Sequence, residues 1–428
     1  FSVRDLDIRG SLYDPSLEGM IDLQDVSTVP PGLNKPITIS QESVSLSGNT
    51  AKINDWTAGF EGNTINVNGS IQYRPKLDGS LQLQAPQLPL QTIVSALDPS
   101  PEIPDGWNPE GTVGGSANVV IEPDDFTISG NLNIPAVRVG KIRGTNGQAR
   151  FNYASDQLRL SNVGLDLYGG KLKSEGTVRQ LFEKPTFQFS NQLRNVQLNR
   201  ILTNLAGVGT GSRGNLSMQT DLRGSLDNLT ALSGNLETTG DSIGLQNVPV
   251  ADQLDNAIVS GISGVLGQDL GPLIQAFLGG ALGKYQQELD RVFGGDVTSR
   301  IDRLRASVEF EDGKGSLDTT FIENQFLRFN VDGNVWLDGR LNTQFSLKEK
   351  DPLISRARQD WLKDVLRAGL PPFRVKGTLM NPQYDMNSFQ KGITKTLTRM
   401  AVSGSSGEKK EESAEDQLKR RLLEGLFN

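Results

Sequence analysis

LSNVGLDLYGGKLKSEGTV, Leu160 to Val178, alternates apolar and polar residues on either side of Tyr168-Gly169-Gly170. A period of two is the pattern of a half-buried strand. A Gly-Gly pair between two such runs marks a tight hairpin, because a type I′ turn needs positive φ at both central residues. The stretch therefore predicts two antiparallel strands that reverse at Gly169-Gly170.

The same phrase occurs three times without gaps. The other copies are INDWTAGFEGNTINVNGSI (Ile53 to Ile71) and LDTTFIENQFLRFNVDGNV (Leu317 to Val335). Gly69, Gly176 and Gly333 align, as do Ile65, Leu172 and Phe329. Ile71, Val178 and Val335 stand two residues further on. Each copy leads into another alternating run (LDGSLQLQAPQLPL, PTFQFSNQLRNVQL, LNTQFSLKEKDPL) and then a short helical pattern (LQTIVSAL, LNRILTNLAG, LISRARQDWLKDVL). The unit is a β-meander plus a short helix. The spacing between copies varies, so the chain is not a strict solenoid. A second phrase, glycine followed by a strand and a Pro or Asn turn, recurs at Gly10, Gly224 and Gly377. In the third copy Gln325-Phe326-Leu327 replaces Tyr168-Gly169-Gly170, and its turn is expected at Asn324-Gln325.

Composition agrees with a β chain of large surface. Only 36% of the 428 residues are apolar, 47 are glycine, and turn residues recur about every ten positions. Cysteine and histidine are both absent. That removes thiol nucleophiles, Cys/His zinc sites and every histidine-dependent triad, and suits an oxidising compartment. No catalytic, cofactor-binding or metal-binding residues are assigned. A formal net charge of −7 argues against nucleic acid as a partner. Phe1 opens directly in strand-like sequence, so the chain reads as part of something longer, with any membrane anchor outside it.

Six segments follow: N-terminal β repeats over 1–150, a β core over 151–250, an amphipathic helical insert over 251–298, a last β repeat with a short helix over 299–400, a charged linker over 401–414 and a helix over 415–428. In the insert, apolar residues recur near the helical period between Ala257 and Leu282, with glycines that weaken a free-standing helix. In the terminal helix Leu418, Leu422, Leu423, Leu426 and Phe427 share one face and Lys419 to Arg421 lie towards the other. Such a short helix is marginal alone and is expected to fold on a membrane or a partner.

Two motif matches fail on context. GTGSRG, Gly209 to Gly214, fits a dinucleotide fingerprint, but a helical stretch precedes it and a strand follows, the reverse of what the fingerprint requires. Asp124 and Asp125 sit in a proline-flanked turn with no convergent partner.

The turn LYGGKL, the leucine-rich VQLNRILTNLAG and the glycine-punctuated GSRGNLSMQTDLRGSLDNLTALSGNLETTG together resemble the AsmA-like family of Gram-negative envelope proteins. The likeness is specific over roughly residues 150 to 250 and diffuse elsewhere. It implies a periplasmic protein anchored in the inner membrane. In such a protein a long, curved β-sheet offers an apolar groove that carries phospholipid between inner and outer membranes and supports outer-membrane assembly. No catalytic residues belong to the family.

If the apolar faces of the repeats point into such a groove, the lining comprises Trp56, Ala58, Phe60, Ile65 and Val67; Val163, Leu165, Leu167 and Leu172; Phe187 and Phe189; and Ile322, Phe329 and Val331. The same residues would serve as the core of a closed β-sandwich, as in a scaffold that engages other envelope proteins. Sequence alone leaves the two readings open.

Overall fold

In the computed structural model Leu167 pairs with Gly170, so the hairpin reverses at Tyr168-Gly169, one residue earlier than the Gly-Gly pair suggests. Tyr168 (φ 49°) and Gly169 (φ 81°) both take positive φ, as a type I′ turn demands. Gly170 serves close approach instead: a Cβ there would lie 2.3 Å from the Arg194 carbonyl oxygen of the next strand. The first copy turns identically at Glu61 (φ 48°) and Gly62 (φ 79°). In the third copy Glu323 pairs with Arg328, which leaves Gln325-Phe326 central, at the same aligned positions. The expected shift to Asn324-Gln325 does not occur. Asn324 holds that turn, its Oδ1 accepting the N–H groups of Phe326 and Leu327 at 2.8 Å each.

The structure describes residues 2–11, 14–98, 108–181, 183–207, 211–244, 300–358, 360–378 and 381–403, with 103, 106, 246, 291 and 292. Almost all of the helical insert, the linker beyond Ser403, and the terminal helix with Leu418, Leu422, Leu423, Leu426 and Phe427 lie outside these residues. The fold is mainly β, an open antiparallel meander of twenty strands with few helices, as the alternation predicts. The chain forms two compact units, Phe1–Val196 with Gln219–Gly234, and Gln197–Met218 with Asn235–Asn428.

Unit 1 contains β1 (Ser2–Ser11), β2 (Asp14–Thr28), β3 (Ile37–Gly48), β4 (Thr50–Phe60), β5 (Asn63–Gln72), β6 (Asp78–Pro89), β7 (Pro109–Ile121), β8 (Phe126–Val139), β9 (Ile142–Ala154), β10 (Gln157–Leu167), β11 (Gly170–Arg179) and β12 (Thr186–Gln197). Each strand pairs with the next in sequence, all antiparallel. A short helix, α1 (Leu90–Ala96), follows β6. Within the other unit, α2 (Leu198–Ile201) runs into a π-helical turn at Leu202–Ala206 that ends on Gly207 at φ 70°. Both helices stand where the repeat predicts them. β13 (Arg213–Ser225) and β14 (Asn228–Gly244) are divided between the units.

The copies share one more feature. Each carries a register shift in its first strand, between Ile53 and Trp56, Leu160 and Val163, and Leu317 and Thr320. In every case the third residue has positive φ: Asp55 (53°), Asn162 (50°) and Thr319 (45°). This is a β-bulge, which adds an unpaired residue and increases local twist and bend. The aligned glycine stands directly opposite the residue that opens the bulge: Gly69 opposite Ile53, Gly176 opposite Leu160, Gly333 opposite Leu317.

The later part of unit 2 contains β15 (Arg300–Glu311), β16 (Lys314–Glu323), β17 (Leu327–Trp336), β18 (Arg340–Glu349), β19 (Phe373–Thr378) and β20 (Asn381–Asp385), again paired in sequence order. Helices α3 (Asp351–Arg356), α4 (Asp360–Ala368) and α5 (Asn387–Ser403) accompany them. Their apolar side chains join the strands in one core: Phe329, Leu347 and Phe373 with Leu353, Leu362, Val365, Leu366, Phe389 and Ile393. Phe373 stacks on Phe345 at 5.4 Å and meets Phe389 edge-on at 6.2 Å.

Candidate functional site

In an antiparallel pair, directly opposed residues share a face of the sheet. Following the opposed residues from strand to strand in unit 1 gives a line of apolar positions: Val3, Ile21, Val44, Ile53, Gly69, Leu81, Val119, Ile128, Tyr153, Leu158, Val178 and Phe187. A second line runs beside it from Trp56 through Val67, Leu83, Ala117, Gly130, Phe151, Leu160 and Gly176 to Phe189. No polar side chain interrupts either line except the phenol of Tyr153. At about 4.8 Å per strand the longer line covers roughly 50 Å.

Most of these residues are half-buried, while Val178 is buried and Val3 exposed. Ile65, Val67, Leu81, Leu83, Val119, Ile128, Phe151, Leu158, Leu160, Phe187 and Phe189 are all half-buried. At the β4 end Ile53, Trp56, Ala58 and Phe60 are buried, and the Trp56 indole N–H donates to the Ser43 carbonyl at 2.9 Å. Both hydrophobic core clusters found among the described residues belong to unit 2. The unit 1 face thus has apolar continuity without a described core to fill it.

The eleven strand candidates of this unit fall on that one face. Trp56 opposes Val67, Leu165 opposes Leu172, Val163 opposes Ser174 beside it, and Phe187 meets Phe189 at 5.9 Å between ring centroids. Phe60, Ile65 and Leu167 follow by alternation along their strands. Ile322, Phe329 and Val331 belong to unit 2, where Phe329 is 4% exposed within the helix-filled core and Ile322 packs against it. Val331, 6% exposed, is buried as well. The lines also take in Leu81, Leu83, Val119, Ile128, Phe151 and Tyr153, which lie between the repeat copies. Alternation in those strands marks them equally well.

The opposite face is polar. Asn68, Gln82, Asn118, Ser129, Asn152, Arg159, Thr177 and Gln188 form a parallel line of opposed residues. Two broad concavities, about 790 and 700 Å³, are lined mainly by this polar set, the larger including Asn131, Gln148, Arg150, Lys173 and Gln192. Among the described residues no group of carboxylates is placed to hold a metal ion. Burial raises the pKa of the Tyr153 and Tyr168 phenols above the ordinary tyrosine value.

No family model, curated protein or solved structure matches this chain. Among the described residues no helix is long and apolar enough to cross a membrane.

Proposed function

We propose that this chain is a non-enzymatic phospholipid carrier, a periplasmic β-surface along which acyl chains travel between inner and outer membranes. The observation that carries this reading is the apolar line of unit 1, which crosses twelve strands with the Tyr153 phenol as its one polar group, is flanked on the same face by Ser174 and Asn191, and has no described core cluster of its own. A phospholipid crossing water exposes tens of methylenes at ~0.8 kcal/mol each, a barrier of order 20 kcal/mol. An apolar strip lowers that barrier at every step along its length. One monolayer of hydrocarbon is about 15 Å thick, half of a bilayer core. A strip of roughly 50 Å therefore accommodates a lipid in several successive positions. The resemblance to AsmA-like proteins supports the same reading and supplies the envelope setting.

The test is lipid extraction and native mass spectrometry of the protein prepared without detergent. Co-purifying phospholipid is expected. Its absence, together with no transfer of fluorescent phospholipid between vesicles, would sink the reading.

A second reading, a scaffold for outer-membrane protein assembly, draws on the polar concavities and on β1, where Val3, Leu6 and Ile8 are exposed at 45%, 42% and 63%. Photo-crosslinkers at Leu165 and Phe187 separate the two. A carrier yields lipid adducts at these positions, and a scaffold yields protein adducts.

A further inference from the structure

We infer that the lipid seated on the apolar face of unit 1 carries a net anionic headgroup, held at one rim of the sheet by a cluster of basic side chains. The inference rests on the carrier reading and gives it a substrate class.

Alternate turns of a meander lie at the same end of its strands. The β8–β9 and β10–β11 turns therefore share a rim, together with the end of β12. At this rim Arg138 stands directly opposite Arg143, and Lys171 directly opposite Arg194. Like charges facing each other across neighbouring strands oppose sheet formation, and this chain does so twice on one rim while carrying a formal net charge of −7. All four side chains are exposed. Arg138 reaches Glu110 at 3.5 Å, whereas Arg143, Lys171 and Arg194 make no ion pair among the described residues. On its β10 side Lys171 stands directly opposite Asp166, whose carboxylate accepts from Asn146 at 2.9 Å, so one carboxylate faces this cluster of four basic side chains. On the opposite rim the β7–β8 and β9–β10 turns carry Glu122, Asp124, Asp125 and Asp156, while the β5–β6 and β11–β12 loops carry Arg74, Lys76 and, beside Glu183, Lys184.

Directly behind the basic side chains, on the other face of the same strand ends, stand Leu165, Leu172 and Leu193, opposed across β10, β11 and β12. A ligand matching both features has hydrocarbon on one side and negative charge at its end. Long Lys and Arg side chains reach around a strand end easily, so acyl chains on the leucines place a phosphate beside Lys171 and Arg194. The paired positive charges then face an anion rather than each other.

The experiment loads the full chain from vesicles containing phosphatidylglycerol and phosphatidylcholine in equal amounts with the same acyl chains. Bound lipid is quantified after the protein is re-isolated. About fivefold enrichment of phosphatidylglycerol is expected, the factor belonging to one basic charge near an anionic surface. The variant carrying Arg143→Gln, Lys171→Gln and Arg194→Gln brings the ratio close to one, with its melting temperature nearly unchanged because the like-charge pairs and the Lys171–Asp166 pair are lost together. Lys76→Gln, in the β5–β6 loop of the other rim, retains the preference. Equal loading of both lipids by the unaltered protein, or a preference that survives the triple variant, overturns this inference and leaves the carrier reading standing. If neither lipid loads, both fall. A triple variant that loses only vesicle co-sedimentation, while its bound lipid stays enriched in phosphatidylglycerol, assigns the rim to membrane docking and overturns the inference as well.

Discussion

Leu160 and Gly176 stand directly opposite each other across β10 and β11, and the β-bulge at Ser161-Asn162 begins immediately after that pair. On the far side of β11, Gly176 opposes Phe189. A Cβ on Gly176 would lie 2.4 Å from both the Gln188 carbonyl oxygen and Phe189 Cδ1. Backbone approach of this kind excludes any side chain, and the same holds at Gly69 and Gly333, where the nearest carbonyl oxygens would be 2.1 and 2.4 Å away. Gly176→Ala is expected to lower stability by about 1–3 kcal/mol. Gly164→Ala, where the nearest atom would be 3.6 Å away on the flexible Gln148 side chain, should change it by less than ~1 kcal/mol. Urea denaturation of both variants checks the contrast.

Asn324 closes the third hairpin without the positive-φ residues used by the other two. It is buried, its Oδ1 accepts two backbone N–H groups, and its Nδ2 donates to the Arg300 carbonyl at 2.9 Å. Asn324→Ala leaves these groups unsatisfied in a dry site, at a cost of about 1–3 kcal/mol. Asn324→Asp keeps the acceptor and loses the donor, so its thermal melting midpoint should fall between those of the alanine variant and the unaltered protein.

The hairpins, the three-copy repeat and the antiparallel meander were legible because alternation and turn chemistry are local signals. The bulges were not. Asp55, Asn162 and Thr319 occupy one aligned position, yet Thr319 shares little chemistry with the other two and carries no sequence mark of its positive φ. The turn at Tyr168-Gly169 was misplaced by one residue because Gly170 is glycine for a tertiary reason, the approach of Arg194. The difference between the copies was also hidden. Leu172 and Phe329 align and read alike, but only Phe329 finds helices to bury it, and those helices come later in the chain. The basic rim is set by cross-strand register, which pairs Lys171 with Arg194 over more than twenty residues of sequence.

Two carboxylates near the third hairpin give opposite pH dependences. Glu323 is 13% exposed and accepts from Lys350 at 2.6 Å and Arg303 at 3.1 Å. The Lys350 hydrogen bond, with Arg303 assisting, outweighs burial and lowers its pKa. A depressed pKa in the fold means stability present above the unfolded value near 4.5 and lost as pH falls through the folded value. Glu349 is shifted the other way. Burial raises its pKa, opposed by the Leu370 N–H that donates to it at 2.8 Å. Its ionisation therefore weakens the fold as pH rises from the unfolded value through the folded one. Glu323→Gln should lower stability at pH 7 by about 1–2 kcal/mol, with the difference shrinking below pH ~4. Glu349→Gln keeps an acceptor for Leu370 without the charge, so it should raise the melting temperature at pH 7 and leave it nearly unchanged at pH ~4. Calorimetry of both variants across this range decides the signs.

The aligned pair Leu172 and Phe329 offers the sharpest separation of an apolar face that serves a ligand from one that serves a core. Leu172 is half-buried in unit 1, opposite Leu165 and Leu193, with no described cluster over it. Phe329 is 4% exposed beneath helix residues. A carboxylate at Phe329 would be buried without a partner, so Phe329→Asp should cost at least 3–5 kcal/mol, about the loss for removing a core phenylalanine, and unfold this unit. At Leu172 a carboxylate keeps access to water. Leu172→Asp should cost only about 1–2 kcal/mol, leave the circular dichroism spectrum native, and remove most lipid loading by interrupting the face for acyl chains. Phe189→Asp should behave as Leu172→Asp does. If either unit 1 variant unfolds as Phe329→Asp does, the unit 1 face is a packed core and cannot be the lipid path. If both stay folded and load lipid normally, acyl chains do not run across this face.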